Sequence, residues 1–159
     1  MRPKVRPMTH GDKSAITQIL VNTPEFKPAE VLVAEELIDS YLENQTESGY
    51  YLLVAEVGSS VVGYICYGPT PLTEGTWDIY WIAVSHQEQG QGIGSTLLAC
   101  AEDKIKKAQG RLSLIETSSK PNYEKTRRFH QSQGYQLVCQ LPDFYEPGDD
   151  KLTYQKRLK

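Results

Sequence analysis

The chain has 159 residues, 39% hydrophobic and 23% charged, with a formal net charge of −3. That length suits one domain, residues 1–159, built on one core. The mild acidity gives no global basic field for nucleic acid or an anionic membrane surface, and no apolar stretch is long enough to span a bilayer.

In chain order, Val5–Met8 reads as a short first strand. Asp12–Val21 reads as a helix with the apolar stripe Ala15, Ile16, Ile19 and Leu20, stopped by Thr23-Pro24. A second helix is expected over Ala29–Asn44, with Leu37, Ile38, Tyr41 and Leu42 on one side. Tyr51–Val57 and Val61–Tyr67 are a strand pair joined by Gly58-Ser59-Ser60. Gly68-Pro69-Thr70-Pro71 is expected to end the ladder, because proline cannot donate to it. Thr76–Val84, apolar and aromatic throughout, suits a central strand covered on both faces, with Trp77 and Trp81 as core residues.

A helix running to about Ala108 follows His86–Gly94, with Ile93, Leu97, Leu98, Ala101 and Ile105 at helical spacing and Gly110 as its stop. Leu112–Thr117 is a strand, Pro121–Gln133 a helix closed by Gly134, and Tyr135–Leu141 and Lys151–Leu158 the last strands. The acidic stretch Asp143–Asp150 is expected as a loop between them. This order makes an α+β domain, a mixed sheet with helices on its faces. The strand-helix-strand unit Thr76–Thr117 makes its two strands parallel, with a right-handed crossover. Met1–Pro7 lacks the apolar run of a signal peptide. Cys66, Cys100 and Cys139 are far apart and form no zinc pattern, so they are expected as reduced packing residues of a cytoplasmic protein, and no metal is expected.

Gly90, Gly92 and Gly94 stand at the mouth of the third helix. A dinucleotide loop needs G-x-G-x-x-G and a Walker loop needs Gly-Lys-Ser/Thr; neither is present. Two readings stay open from the residues alone: a tight turn, or an anion cradle of N–H groups at a helix end.

The segment Val84-x4-Gln89-Gly90-Gln91-Gly92-Ile93-Gly94-Ser95-x-Leu97-Leu98 resembles the cofactor signature of the GCN5-related N-acetyltransferases (GNAT). Phe129-His130-Gln131-Ser132-Gln133-Gly134-Tyr135 is similar to the family's second motif, an aromatic helix end before a glycine. The resemblance implies a mostly antiparallel sheet splayed between its two parallel strands, with helices on both faces. It implies acetyl-CoA as cosubstrate, its pyrophosphate on the N–H groups of Gln89, Gly90, Gln91, Gly92, Ile93, Gly94 and Ser95. The main chain of Ile82, Ala83 and Val84 would pair with the pantetheine arm, and Asn122 and Tyr123 would flank it. Lys120, Arg127 and Arg128 could meet the terminal phosphate or form a solvated basic face.

The activity implied is direct transfer of acetyl to a primary amine in a ternary complex. The acceptor would be a small molecule or a peptide; neither nucleic acid nor membrane is expected as a partner, and a homodimer stays open. The thioester oxygen would be met by a main-chain N–H at Val84. The family's usual tyrosine acid is replaced here by His130, which at an ordinary pKa would be about one quarter protonated at pH 7. It could donate to sulfur or merely fill the space. Glu116 is the preferred base, with Asp78 and then Tyr80 as further candidates; a carboxylate would act through ordered water or with a raised pKa. Asp143–Asp150, with Tyr145, would form the lip of the acceptor site. The alternative is a non-catalytic acyl-CoA-binding or sensing domain of the same fold. A nucleotide-phosphate binder is a third, weaker reading.

Overall fold

Alternation along the strands divides the interior into two layers. The computed structural model describes residues 2–159. Its strands are β1 (Lys4–Pro7), β2 (Tyr51–Val57), β3 (Ser60–Pro69), β4 (Thr76–Val84), β5 (Leu112–Ser118), β6 (Gln136–Glu146) and β7 (Asp149–Arg157). Its helices are α1 (Lys13–Val21), α2 (Pro28–Asn44), α3 (Ile93–Lys107) and α4 (Glu124–Ser132). In β2, Leu53 and Ala55 join a core with Leu97, Leu98, Ala101 and Ile105 of α3. Leu52 and Val54 join a second core with Ile16, Ile19 and Leu20 of α1 and Ala34 and Ile38 of α2. A strand buried on both faces reads as the continuous apolar run seen here.

The seven-stranded sheet has the order β1-β2-β3-β4-β5-β7-β6. Every neighbouring pair is antiparallel except β4 and β5. The mixed, mostly antiparallel sheet with helices on both faces is thus the architecture implied by the resemblance. No helix is long and apolar enough to cross a membrane among the described residues.

α1 is entered through a cap that the sequence reading did not single out. Asp12 accepts from Thr9 N at 2.8 Å and holds Arg6 through both guanidinium arms at 2.7 and 2.9 Å. The Arg6 bond holds the Asp12 carboxyl at about 2, well below the ordinary range. Asp12→Ala removes cap and ion pair together. We expect it to cost about 3 kcal/mol in urea denaturation. Asp12→Asn, which can still accept from Thr9, should recover about a third of that loss.

Four local expectations are corrected. The ladder does not stop at Gly68-Pro69, which pair with Asp78 and Trp77. Thr70 N donates to Thr76 O toward β4, so the Pro69 nitrogen faces the other way. There β2 has already ended, with Tyr51 opposite Tyr67, so the missing donor breaks no bond. At the end of α3 the left-handed residue is Gln109 (φ 68), not Gly110. Gly110 N instead bonds Ile105 O at 2.8 Å, and a Cβ there would collide with Ile105 and Trp77. The acidic loop Asp143–Asp150 is mostly strand, with β6 reaching Glu146 and β7 starting at Asp149. Cys139 is exposed rather than packed; Cys66 is buried and Cys100 half-buried.

Candidate active site

β4 and β5 pair from Thr76–Leu112 to Ile79–Ile115 and no further. Past that point β5 runs on beside β7 to Ser118, while β4 continues beside β3 to Val84. A wedge therefore opens between the two parallel strands. A β-bulge sits where it begins: Cys66 pairs with Trp81 and Tyr67 with Ile79, leaving Tyr80 as the extra residue.

The bulge resets the alternation. Trp77 and Ile79 face the α3 core, and after Tyr80 it is Ile82 and Val84 that pack against it. Hydrogen-bond direction alternates likewise. Ser85 N donates to Val62 O, and Tyr64–Ala83 falls in the same set of bonded pairs. Ala83 thus spends its main chain on β3, while Ile82 and Val84 turn theirs into the wedge. Of the three β4 positions expected to meet a pantetheine arm, Ala83 is removed on this ground. The Val84 carbonyl accepts from Gln89 Nε2 at 3.2 Å, so its N–H is the group left pointing into the wedge.

The glycine stretch lies at the wide end. Gly90 and Gly92 have φ 81 and 80, with open space where a Cβ would stand. Gly92 caps α3, its carbonyl accepting from Thr96 N at 3.0 Å. None of the N–H groups from Gly90 to Ser95 finds a main-chain acceptor among the turn and cap bonds. These are the free donors that a helix end offers an anion. Gly94 differs from its neighbours. A Cβ there would meet the Phe129 ring at 3.3 Å, so its small size lets α4 close on α3. Ser95 Oγ also accepts from Gln133 Nε2 of the α4 end. The Gln89 side chain ties the loop back to β4 and accepts from Lys125 Nζ at 3.2 Å.

Other candidates are already committed. Arg127 donates to Ser118 O and Lys120 O, both at 2.8 Å, and so fixes the β5–α4 connection. Lys120 is ion-paired with Glu146, and Arg128 with Glu124 on its own helix. Tyr123 donates its hydroxyl to Glu25 O at 2.8 Å, while Asn122 is exposed. The cation beside the glycine loop is Lys125, which the sequence reading missed. Only its place in the first turn of α4, opposite Gln89, reveals it.

On the sheet face opposite α3, β4 is not fully covered, contrary to expectation: Tyr80 is 37% exposed. Ile115 faces the α3 core, so Glu116 emerges on the other face, with Asp78. Asp78 accepts from Thr70 Oγ1 at 2.6 Å and has no cationic partner within 4.0 Å among the described residues. Burial raises its pKa, opposed by the Thr70 bond and assisted by the Glu116 charge. Glu116 is held by Lys151 Nζ at 2.7 Å. Tyr80 and Tyr145 are each pushed up to about 12, by burial first, and both feel Glu116. Tyr50 stands edge-on to Tyr80, and Phe26 edge-on to Trp81. Two carboxylates among aromatic rings at a wedge of free main-chain donors can bind an amine beside an acyl group.

His130 is 2% exposed, boxed by Phe129, Tyr135 and Tyr154, and its buried Nδ1 has no hydrogen-bond partner. Burial alone lowers its pKa to about 4. The expected quarter-protonated imidazole is corrected: the ring is neutral at pH 7. The unfolded chain, with a histidine near 6.5, binds a proton between pH 6.5 and 4 that the fold refuses. Stability from this group is therefore full above pH 6.5 and falls as pH drops. The loss approaches roughly 3 kcal/mol near pH 4. Urea unfolding across this range should show that slope in the wild type and lose it in His130→Phe; parallel slopes would contradict the burial.

The sequence profile of the Acetyltransferase (GNAT) family matches residues 15–135. A GNAT-family protein of Desulfovibrio desulfuricans has a crystal structure 37% identical to this chain, with a TM-score of 0.96, covering 99% of this chain and 100% of that one. An uncharacterized N-acetyltransferase of Methanocaldococcus jannaschii is 31% identical over 104 residues, 65% of this chain. The match spans 64% of that relative's length. A Salmonella typhimurium protein solved with its cofactor acetyl-CoA shares the fold at a TM-score of 0.78 and 22% identity, with 99% of this chain and 94% of that one covered.

Proposed function

The chain belongs to the acetyltransferase (GNAT) family, and on that premise we propose that it is an acetyl-CoA-dependent N-acetyltransferase acting on a primary amine. The observation that carries this is the wedge beyond Ile79, with the free donors of Gly90–Ser95 at its wide end and Asp78 and Glu116 at its narrow one. The residues fit the cofactor: open space at Gly90 and Gly92 lets an anion approach the main chain. When bound, acetyl-CoA supplies an activated acyl thioester.

The chain's own residues do the rest. Gly90–Ser95 hold the pyrophosphate, with Lys125 beside it. Ile82 and Val84 align the pantetheine arm as an added strand would. The Val84 N–H donates to the thioester oxygen as charge develops there. Once a carboxylate has taken its proton through water, the amine would attack the thioester carbonyl directly in a ternary complex, the C–N bond forming as the C–S bond breaks and CoA leaves as its thiolate. Asp78 is favoured over Glu116 for that step. Burial raises Asp78 toward a useful basicity, whereas Lys151 holds Glu116 as an anion partner. His130, neutral and buried, is suited to donating one N–H toward sulfur, not to acting as an imidazolium. The acceptor is a small-molecule or peptide amine.

The second reading, an acyl-CoA sensor without turnover, draws support from the same histidine, which stands in place of the family's tyrosine acid. Thiol release from acetyl-CoA across a panel of amines separates the two. Amine-dependent release supports the enzyme; tight binding with no release on any amine supports the sensor.

A further inference from the structure

We propose that Lys151 is a positioning residue of the acceptor side: it occupies Glu116, so that the acceptor amine meets Asp78 alone. The proposal rests on the acetyl-transfer reading above. Lys151 stands directly across from Ser118, which puts its side chain on the same face of the sheet as Glu116 and Asp78. It does not stay beside Ser118. Its stem runs back along the sheet to Glu116, and its Nζ meets Oε2 there at 2.7 Å. The Phe144 ring of β6 covers the same ammonium, with its centroid at 4.3 Å. Carboxylate and ring together hold a side chain that is only 20% exposed.

Glu116 is the first residue of β5 beyond its last pair with β4, Ile79–Ile115, and so stands on the wall of the wedge. Asp78 pairs with Leu114, so strand spacing sets the Cα atoms of Asp78 and Glu116 about 8 Å apart on one face. An ammonium between them reaches both. Two anions would bind a cationic amine more tightly and would also hold its proton, which favours the protonation state that cannot attack. Lys151 neutralises one of the two, and no other cation reaches Glu116 among the described residues. The remaining titratable groups facing this pair are Tyr80 of β4, Cys66 of β3, Tyr50 before β2, Tyr145 of β6, Asp149 of β7 and Glu30 of α2. Burial pushes Tyr80, Tyr145 and Cys66 up, so they stay neutral through the carboxylate range. Asp149 accepts from the Ser118 hydroxyl and Glu30 from the Lys27 main-chain N–H.

Steady-state thiol release, followed across pH with a primary amine that the wild type accepts, tests this. Lys151→Met should lower KM for the amine about tenfold and lower kcat at neutral pH by at least as much. KM for acetyl-CoA should not change. The rise of kcat with pH should move to higher pH, because each of two uncompensated carboxylates disfavours the other's charge. Lys151→Arg keeps the cation and should keep wild-type values. Lys151→Met/Glu116→Gln should restore the amine KM and the position of the rise, since the freed carboxylate is gone. A lysine that merely supported the fold would gain nothing from that second substitution. If Lys151→Met does not fold, Lys151→Gln carries the same comparison. A Lys151→Met variant with the wild-type amine KM and pH rise, or one that Glu116→Gln does not rescue, overturns the proposal and leaves the acetyl-transfer reading standing. A wild type with no release on any amine overturns both.

Discussion

Gly92→Asp is expected to weaken acetyl-CoA binding by about 100-fold or more while the fold persists. The backbone at Gly92 is left-handed, φ 80, and open space surrounds the position of a Cβ. Asparagine and aspartate tolerate that conformation better than other side chains, so the substitution strains the helix end only modestly. What it adds is a negative charge among the N–H groups proposed to hold a pyrophosphate. Two unit charges about 5 Å apart, at an effective dielectric of about 20, repel by roughly 3 kcal/mol, more than a factor of 100 in affinity. Gly92→Asn carries the same shape without the charge and should lose about tenfold or less. Calorimetric titration of both variants separates steric from electrostatic loss. Equal losses for aspartate and asparagine would remove the phosphate from this loop.

Asp78→Asn is expected to lower kcat by about 100-fold or more, the size of a general-base contribution, with little change in KM for acetyl-CoA. Asparagine can still accept the Thr70 hydrogen bond, so the strand end should keep its geometry. A base must be unprotonated to act, so the wild-type rate should rise with pH through the Asp78 pKa. That rise should lie above the ordinary carboxylate range, since burial pushes Asp78 up. Asp78→Asn should flatten it. Glu116→Gln should cost about tenfold, because it removes the partner of Lys151 and not the proton acceptor. If Glu116→Gln instead takes the larger loss and the pH limb, the two carboxylates exchange roles.

Local chemistry in the sequence reveals the outline of this site but not its wiring. The apolar spacing of Ile93, Leu97, Leu98, Ala101 and Ile105 places α3, and Gly92 places its mouth. A spacing pattern survives any tertiary context that buries one helix face. The bulge at Tyr80 is a register event between β3 and β4, with no residue type to announce it. Yet it decides that Ile82 and Val84, and not Ala83, face the wedge. Pro69 reads as a ladder stop until the end of β2 shows that its nitrogen faces no neighbour. Arg127 looks like a phosphate ligand because it is basic and near a motif; two carbonyls of the β5–α4 connection claim it. The neutrality of His130 follows from three rings brought by α4, by Tyr135 and by β7. Burial made by distant segments is what sequence spacing leaves out.

We propose that acetyl-CoA lies in the wedge between β4 and β5 with its pyrophosphate on the glycine loop. Amide NMR of the labelled chain titrated with acetyl-CoA tests it at single residues. The largest shifts are expected at Ile82, Val84 and Gly90–Ser95, with Ala83, bonded to β3, moving far less. Saturable binding that leaves these amides unmoved, or that perturbs Ala83 as strongly as its neighbours, would contradict it.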